Sequence, residues 1–326
     1  MRKRSLNVLF ILSTIIVLII LVNSCKEDDT QVPKVITKEI TEITKEGANC
    51  GGTIDSDGGE SVTTRGVCWS TSKNPTINND KTIDGNGTGS YSSKLSGLAA
   101  QTTYFVRAYA TNVNGTAYGT EKQFTTLSAN SVMDADGNIY QTITIGTQIW
   151  MDQNLKTTKY QNGDPIPNVE DNTQWNNLTT GAYCNYNNDE TNANIYGHLY
   201  NLATATDIRK ICPSGWHVPT DSEWSDLVLF LGGDNVAGGK LKEVGSTHWN
   251  LPNTGATNEY SFTALPSGHR DYFGIYKEMG EYCHFWSSTN DEATSAWSYR
   301  MGYSYRNMGR SSSYWMNGYS IRCIKD

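Results

Sequence analysis

Three groups of residues in this chain have side chains that do chemistry. Carboxylates fall close together at Asp189-Glu190, at Asp221 with Glu223, and at Asp291-Glu292, and two carboxyl groups flanking a glycosidic bond are what sugar hydrolysis uses. Asp221 and Glu223 are accounted for at a helix start, and the other two pairs lie in Asn-rich loops that water solvates. No catalytic residue is assigned. The five histidines, His198, His217, His248, His269 and His284, are scattered without a His-x-x-x-His or comparable spacing, so no metal centre is read from them. Asp134-Ala135-Asp136-Gly137-Asn138 opens in the manner of a calcium loop, but the twelfth position, where an EF-hand carries Glu, is Ile145. Recognition is the chemistry that remains. Tyr and Trp offer broad rigid faces at small entropic cost, and Asn and Asp offer hydrogen bonds or calcium oxygens, a combination that suits sugars. The candidate contacts are Trp175, Tyr183, Tyr186, Asp189, Glu190, Asn290, Asp291, Glu292, Trp297, Tyr303, Tyr305, Tyr314 and Trp315. No cofactor is expected, with calcium left open.

These residues need elements to carry them. Between 33 and 127, short runs over 35–43, 48–54, 64–70, 90–95, 103–111 and 116–125 read as strands. Asp55-Ser56-Asp57-Gly58-Gly59 and Asn112-Val113-Asn114-Gly115 supply turn residues that tolerate positive φ. If Val67 and Trp69 face the core, Cys68 points away from it, which argues against a bridge to Cys50. From 131 onward the pattern changes. Alternation predicts a strand over 140–145. Leu199, Leu202, Ala203, Ala205, Ile208 and Ile211 recur at helical spacing and predict an amphipathic helix over 197–211, stopped by Pro213. Thr220-Asp221-Ser222-Glu223 is a capping box opening a helix that buries Trp224, Leu227, Val228 and Leu231 and ends at Gly232-Gly233. Strands are expected over 261–265, 282–287, 297–303 and 319–324, and Trp150, Trp216, Trp224 and Trp286 are expected in the core.

Arg2, Lys3 and Arg4 precede an uncharged, largely apolar run over 8–22. That run is shorter than the roughly 20 residues a spanning helix needs and has the layout of an export signal over 1–24. Val22-Asn23-Ser24-Cys25 resembles the lipobox of bacterial lipoproteins, which implies acylation of the Cys25 thiol and a membrane attachment that needs no spanning helix. Residues 25–32 then serve as a tether, and Lys26-Glu27-Asp28-Asp29 is similar to the signal that sends Bacteroidetes-type lipoproteins outward. The expected location is the outer membrane, lipid-anchored, at the cell surface. Once the leader takes three basic residues away, the 26 Lys and Arg fall to 23 against 33 Asp and Glu. No basic cluster remains, so nucleic acid is excluded as a partner. The six cysteines besides Cys25, an even number, suit disulfides in an oxidising compartment, and none lie two to four residues apart as a zinc knuckle requires.

Leu98-Ala99-Ala100-Gln101-Thr102-Thr103-Tyr104, followed by 105–112, resembles the fibronectin type III pattern, in which the Tyr hydroxyl closes a corner against the backbone. The resemblance implies an all-β immunoglobulin or fibronectin III-like sandwich over 33–127, with the role of a spacer. Further on, five motifs resemble the Fibrobacter succinogenes major paralogous domain over 131–326. They are Asp136-Gly137-Asn138, the run over 145–151 from Ile145 to Met151, Cys212-Pro213-Ser214-Gly215-Trp216-His217-Val218-Pro219-Thr220, Phe285-Trp286-Ser287-Ser288-Thr289 and Tyr319-Ser320-Ile321-Arg322-Cys323. That family is similar to C-type lectin-like and formylglycine-generating-enzyme folds, which implies an α+β unit with two helices flanking an irregular antiparallel assembly. Cys212 and Cys323 match the outer disulfide of that fold. Cys184 and Cys283 are left over, and their local sequence neither demands nor forbids a bridge. The close cysteine pair and the histidine metal set of the enzymatic relatives are not visible. The Glu-Pro-Asn type triplet of calcium-dependent lectins is missing, with Asn290-Asp291-Glu292 in a comparable region. The expectation is a non-catalytic binding or adhesion module for polysaccharide or glycoprotein. The alternatives are an envelope assembly protein that binds a protein partner, and a polysaccharide-active enzyme.

Overall fold

The structure is a computed structural model that describes residues 31–326. The expected leader, the acylated Cys25 and nearly all of the tether lie outside the described residues. The chain divides into two compact units between Thr126 and Leu127. No helix among the described residues is long and apolar enough to cross a membrane.

The first unit has eight strands: β1 (Lys34–Thr37), β2 (Gly47–Ser56), β3 (Thr64–Ser70), β4 (Asp80–Lys81), β5 (Gly89–Ser96), β6 (Thr103–Asn112), β7 (Gly115–Tyr118) and β8 (Lys122–Thr125). They form one sheet in the order β1-β2-β5 and a second in the order β4-β3-β6-β7, with β8 also paired to β6. Period-two alternation turns Tyr91 and Leu95 of the first sheet and Val67, Trp69, Val106 and Ala108 of the second into one shared core, which makes the unit a β-sandwich. The Tyr104 hydroxyl accepts the Ala99 N–H at 3.0 Å, which closes the expected corner. Cys68 faces away from Val67 and Trp69 yet is fully covered, its thiol reaching the Pro75 carbonyl at 3.5 Å, and both Cys50 and Cys68 are free.

The second unit begins with β9 (Ser131–Met133), β10 (Ile139–Ile145) and β11 (Gln148–Met151), then α1 (Asn172–Asn176), β12 (Tyr183–Cys184), α2 (Glu190–Tyr196), β13 (Leu199–Tyr200) and α3 (Leu202–Ala205). It continues through β14 (Trp216–His217), α4 (Asp221–Phe230), α5 (Asp234–Leu241), β15 (Ser267–Arg270), β16 (Tyr276–Met279), β17 (Tyr282–Glu292), β18 (Ser295–Gly302), β19 (Met308–Tyr314) and β20 (Ile324–Lys325). Its sheets run β14-β20-β11-β10-β9, β12-β13 and β16-β15-β17-β18-β19. The unit is therefore β-rich, which corrects the expected α+β lectin-like arrangement.

One cause of that difference is visible at 197–211. Leu199 and Tyr200 pair with Cys184 and Tyr183 as a strand, and Asn201 then caps the single turn of α3 by accepting the Thr204 N–H. Ile208, placed by periodicity on a buried stripe, is 95% exposed. Cross-strand pairing and a local Asn cap prevail over an apolar spacing that taken alone reads as helical. The segment 261–265 likewise carries only an isolated bridge between Ala264 and Lys242. The capping box at α4 forms with both halves present, Thr220 accepting from Glu223 N–H and the Glu223 carboxylate returning to Thr220.

Cys212 and Cys323 are joined, closing a loop with a sequence separation of 111. Cys184 and Cys283 are not joined, which corrects the pairing left open above. Both thiols are free and buried, Cys184 among Trp175, Ala182 and Leu199 and Cys283 among Trp150, Phe285 and Met301, in separate apolar clusters. The second cluster also holds a fully buried Lys242, whose Nζ donates to the carbonyls of Thr254, Gly302 and Tyr305 at 3.1, 2.8 and 2.7 Å.

Candidate functional site

Among the expected ligand contacts, two are core residues. Trp175 is fully buried and donates its indole N–H to the Met316 carbonyl at 2.8 Å, and Tyr186 is buried against Tyr276. Large rings drawn into a small unit's core contribute apolar area that a loop position would leave wet. Tyr183 is half-buried beside His198. Tyr303 and Trp315 are half-buried and pack on the two main clusters. Trp297 is half-exposed, but the Arg310 guanidinium covers its ring at 3.2 Å and is held there by Asp221 at 2.7 and 2.8 Å. Tyr305 is exposed beside Tyr282. Asp189 caps α2 by accepting the Thr191 N–H at 2.8 Å, and the exposed Glu190 follows in its first turn. Asn290, Asp291 and Glu292 end β17 beyond an irregularity in its pairing with β18.

Tyr314 is different, because it meets exposed rings that sequence reasoning passed over. The β15–β16 turn presents Tyr272 and Phe273, 40% and 56% exposed, with ring centroids 4.1 Å apart. Tyr314, also 40% exposed, meets Tyr272 edge-on at 5.5 Å. Three rings from two elements distant in sequence thus form one exposed aromatic face.

That face is held rigidly from below. Asp271 accepts the N–H groups of Phe273 and Ile275 at 3.0 and 2.9 Å, an Asx-type turn. Although burial pushes its carboxyl up, Lys277 at 2.6 Å and these amides hold Asp271 below the usual carboxylate range. Gly274 adopts φ +86°, and a Cβ there would meet Asn172 Cα at 2.8 Å, so both backbone and space call for glycine. Beneath the turn lies Arg270, with no exposed surface. Its guanidinium donates to the carbonyls of Gly274, Val169 and Glu170 and to Asn172 Oδ1, and stacks on Trp175 at 4.5 Å and Tyr276 at 4.9 Å. Its planar fork is the one cationic side chain that can satisfy four acceptors while lying between rings. One residue therefore ties the turn to the 168–176 segment.

At the base of the same hairpin, two of the five dispersed histidines converge. His269 of β15 and His284 of β17 direct Nδ1 and Nε2 at one oxygen of Glu278 on β16, at 3.2 and 2.9 Å. Among the described residues this is the one group of three that could hold a metal ion, the ligand atoms all lying within 4.8 Å of one another. Spacing of 15 residues hid it, since the pairing of β15 with both β16 and β17 creates the proximity. Burial, together with the neighbouring His269, pushes His284 down to about 4 against a weaker upward pull from Glu278. The adjoining His269 ring and the hydrogen bond from His284 hold Glu278 well below the usual range.

The fold is that of a β-rich chain of two compact units. The chain belongs to the Fibrobacter succinogenes major domain family, whose model matches residues 143–325. Among solved structures it is similar to the sensor domain of the anti-sigma factor RsgI4 in Pseudobacteroides cellulosolvens, at 17% identity and a TM-score of 0.24 over 30% of this chain and 97% of that one. It is also similar to a fibronectin type III domain from the human KIAA0970 protein, at 14% identity and a TM-score of 0.23 over 32% and 80% of the two chains. No curated protein matches the chain significantly.

Proposed function

We propose that this chain is a non-catalytic, lipid-anchored surface module that captures polysaccharide or glycoprotein through the face formed by Tyr272, Phe273 and Tyr314. The observation that carries the reading is a pair of exposed rings on a turn that a fully buried arginine locks in place, joined by the exposed ring of Tyr314 from β19. Stacking on the apolar face of a sugar ring needs such a surface, and a pre-ordered one gives up little conformational freedom on binding. Exposed carboxylates such as Glu190 and Glu292 would add hydrogen bonds to hydroxyl groups elsewhere on a long ligand. Acylation at Cys25 would supply the surface attachment.

The test is a glycan and glycoprotein array probed with the purified full chain, followed by titration calorimetry on any ligand retained. Tyr272→Ala and Phe273→Ala, separately, should each weaken binding by about 1 kcal/mol or more, on the order of fivefold to tenfold. If no saccharide or glycoprotein is retained, or if both substitutions leave affinity unchanged, the reading is wrong.

A further inference from the structure

The cluster of His269, Glu278 and His284 is unlike the other histidine contacts in the molecule. His217 is gripped on opposite edges by Asp326 and Glu223, and His248 leans one nitrogen on Glu243. In both cases each ring nitrogen involved has its own well-formed partner. At the hairpin base, by contrast, two imidazole nitrogens crowd one carboxylate oxygen. His269 Nδ1 approaches Glu278 Oε2 at 3.2 Å but off the line a hydrogen bond needs, so this buried nitrogen has no hydrogen-bond partner. A buried polar atom left in that condition is uncommon and calls for an explanation.

Glu278 itself sits at φ +64°, a left-handed conformation that a side chain other than Gly, Asn or Asp seldom adopts. Backbone strain of this kind persists where the surrounding structure imposes it, and here it accompanies a carboxylate aimed at the two rings. Tyr319 stacks on His284 at 4.8 Å and meets His269 edge-on at 5.8 Å, which restricts both imidazoles.

We propose that His269 Nδ1, His284 Nε2 and the Glu278 carboxylate bind a divalent transition ion of the zinc class, with a further coordination position open to solvent. Two imidazoles and one carboxylate are a donor set that zinc and its neighbours accept with three protein ligands. A tetrahedral ion with bonds of about 2.0–2.1 Å places its ligand atoms roughly 3.3 Å apart. Two of the present separations, 2.9 and 3.2 Å, are already near that value. The remaining pair, within 4.8 Å, needs to contract by at most about 1.5 Å, within the reach of side-chain rotation. The His284 side chain is only 8% exposed while that of Glu278 is 34% exposed, so the open position faces water on the Glu278 side. An ion there would draw together three adjacent strands of one sheet and give the unit a second group for engaging oxygen ligands.

The experiment is calorimetric titration of the metal-stripped full chain with Zn2+, with Co2+ absorption as a second readout. The expected result is one ion per chain with micromolar or tighter affinity, and ligand-field bands for Co2+ that Zn2+ displaces. Glu278→Gln and His269→Gln should each weaken binding at least about tenfold while the near-ultraviolet circular dichroism stays that of the parent. His217→Gln and His248→Gln should bind as the parent does. The more buried His284 is reserved for a confirmatory His284→Asn, since the two preceding variants decide the matter even if this one fails to fold. Lack of saturable binding overturns the proposal, as does binding that survives both Glu278→Gln and His269→Gln, or binding abolished by His217→Gln or His248→Gln.

Discussion

Replacing both Cys212 and Cys323 by Ala removes the single cross-link of the second unit without placing a hydroxyl in the core, where both residues are buried. The bond closes a loop with a sequence separation of 111. In the chain-entropy account, opening a loop of that length stabilises the unfolded ensemble by about 4.8 kcal/mol near room temperature. A unit of about 200 residues unfolds with an entropy of roughly 2.1 cal/mol/K per residue, so the midpoint should fall by about 11 °C. Tryptophan fluorescence during urea unfolding is a suitable assay. Of the nine Trp, only Trp69 belongs to the sandwich, so the signal reports on the cross-linked unit. The double variant should lose about 4 to 5 kcal/mol, and the parent in excess reductant should lose the same amount. A loss below about 1 kcal/mol in the variant, or a parent indifferent to reductant, would refute the loop-entropy reasoning and locate the unit's stability in its packing.

Other perturbations have equally definite outcomes. Burial pushes His198 down to about 4 from 6.5, so the folded unit keeps this ring neutral while the unfolded chain protonates it. The stability it confers is complete above pH 6.5 and is lost as pH falls toward 4, amounting to about 3 kcal/mol; urea unfolding at the two ends of that window should show a correspondingly smaller change in His198→Gln. Lys242→Met keeps the apolar stem but leaves the carbonyls of Thr254, Gly302 and Tyr305 without their donor, and should cost about 3 kcal/mol in the same assay. Arg270→Lys retains the charge but not the fork, and should lower stability by about 2 kcal/mol or more and weaken any saccharide bound at Tyr272 and Phe273. Thr220→Ala should cost about 1 kcal/mol through the lost cap, measured as a shift in urea midpoint.

The features legible in the sequence are those whose causes lie within a few residues. The capping box at Thr220 and Glu223 needs only a hydroxyl, a carboxylate and a spacing of three, and it forms as read. The alternating strands of the sandwich are likewise a local pattern, set by the period of two, and the Tyr104 corner was recognisable through resemblance to the fibronectin type III pattern. The Cys212–Cys323 bond joins residues that were recognisable through family resemblance. Core placement of Trp150, Trp216, Trp224 and Trp286 was likewise an expectation from the resembled fold, and all four are buried.

What only the tertiary structure decided has causes far apart along the chain. The helical spacing over 197–211 yields to a strand pairing with Tyr183 and Cys184 that no local pattern announces. Trp175 reads as a loop aromatic but fills the core, because Arg270, 95 residues later, stacks upon it. The exposed aromatic face unites Tyr314 with Tyr272 and Phe273 across two sheet elements, and His269, Glu278 and His284 converge because β15 lies between β16 and β17. Backbone hydrogen bonding and capping act between near neighbours and leave their mark in spacing. A binding face or a ligand set is a property of which strands lie side by side, and that is fixed by the free energy of the whole packed unit.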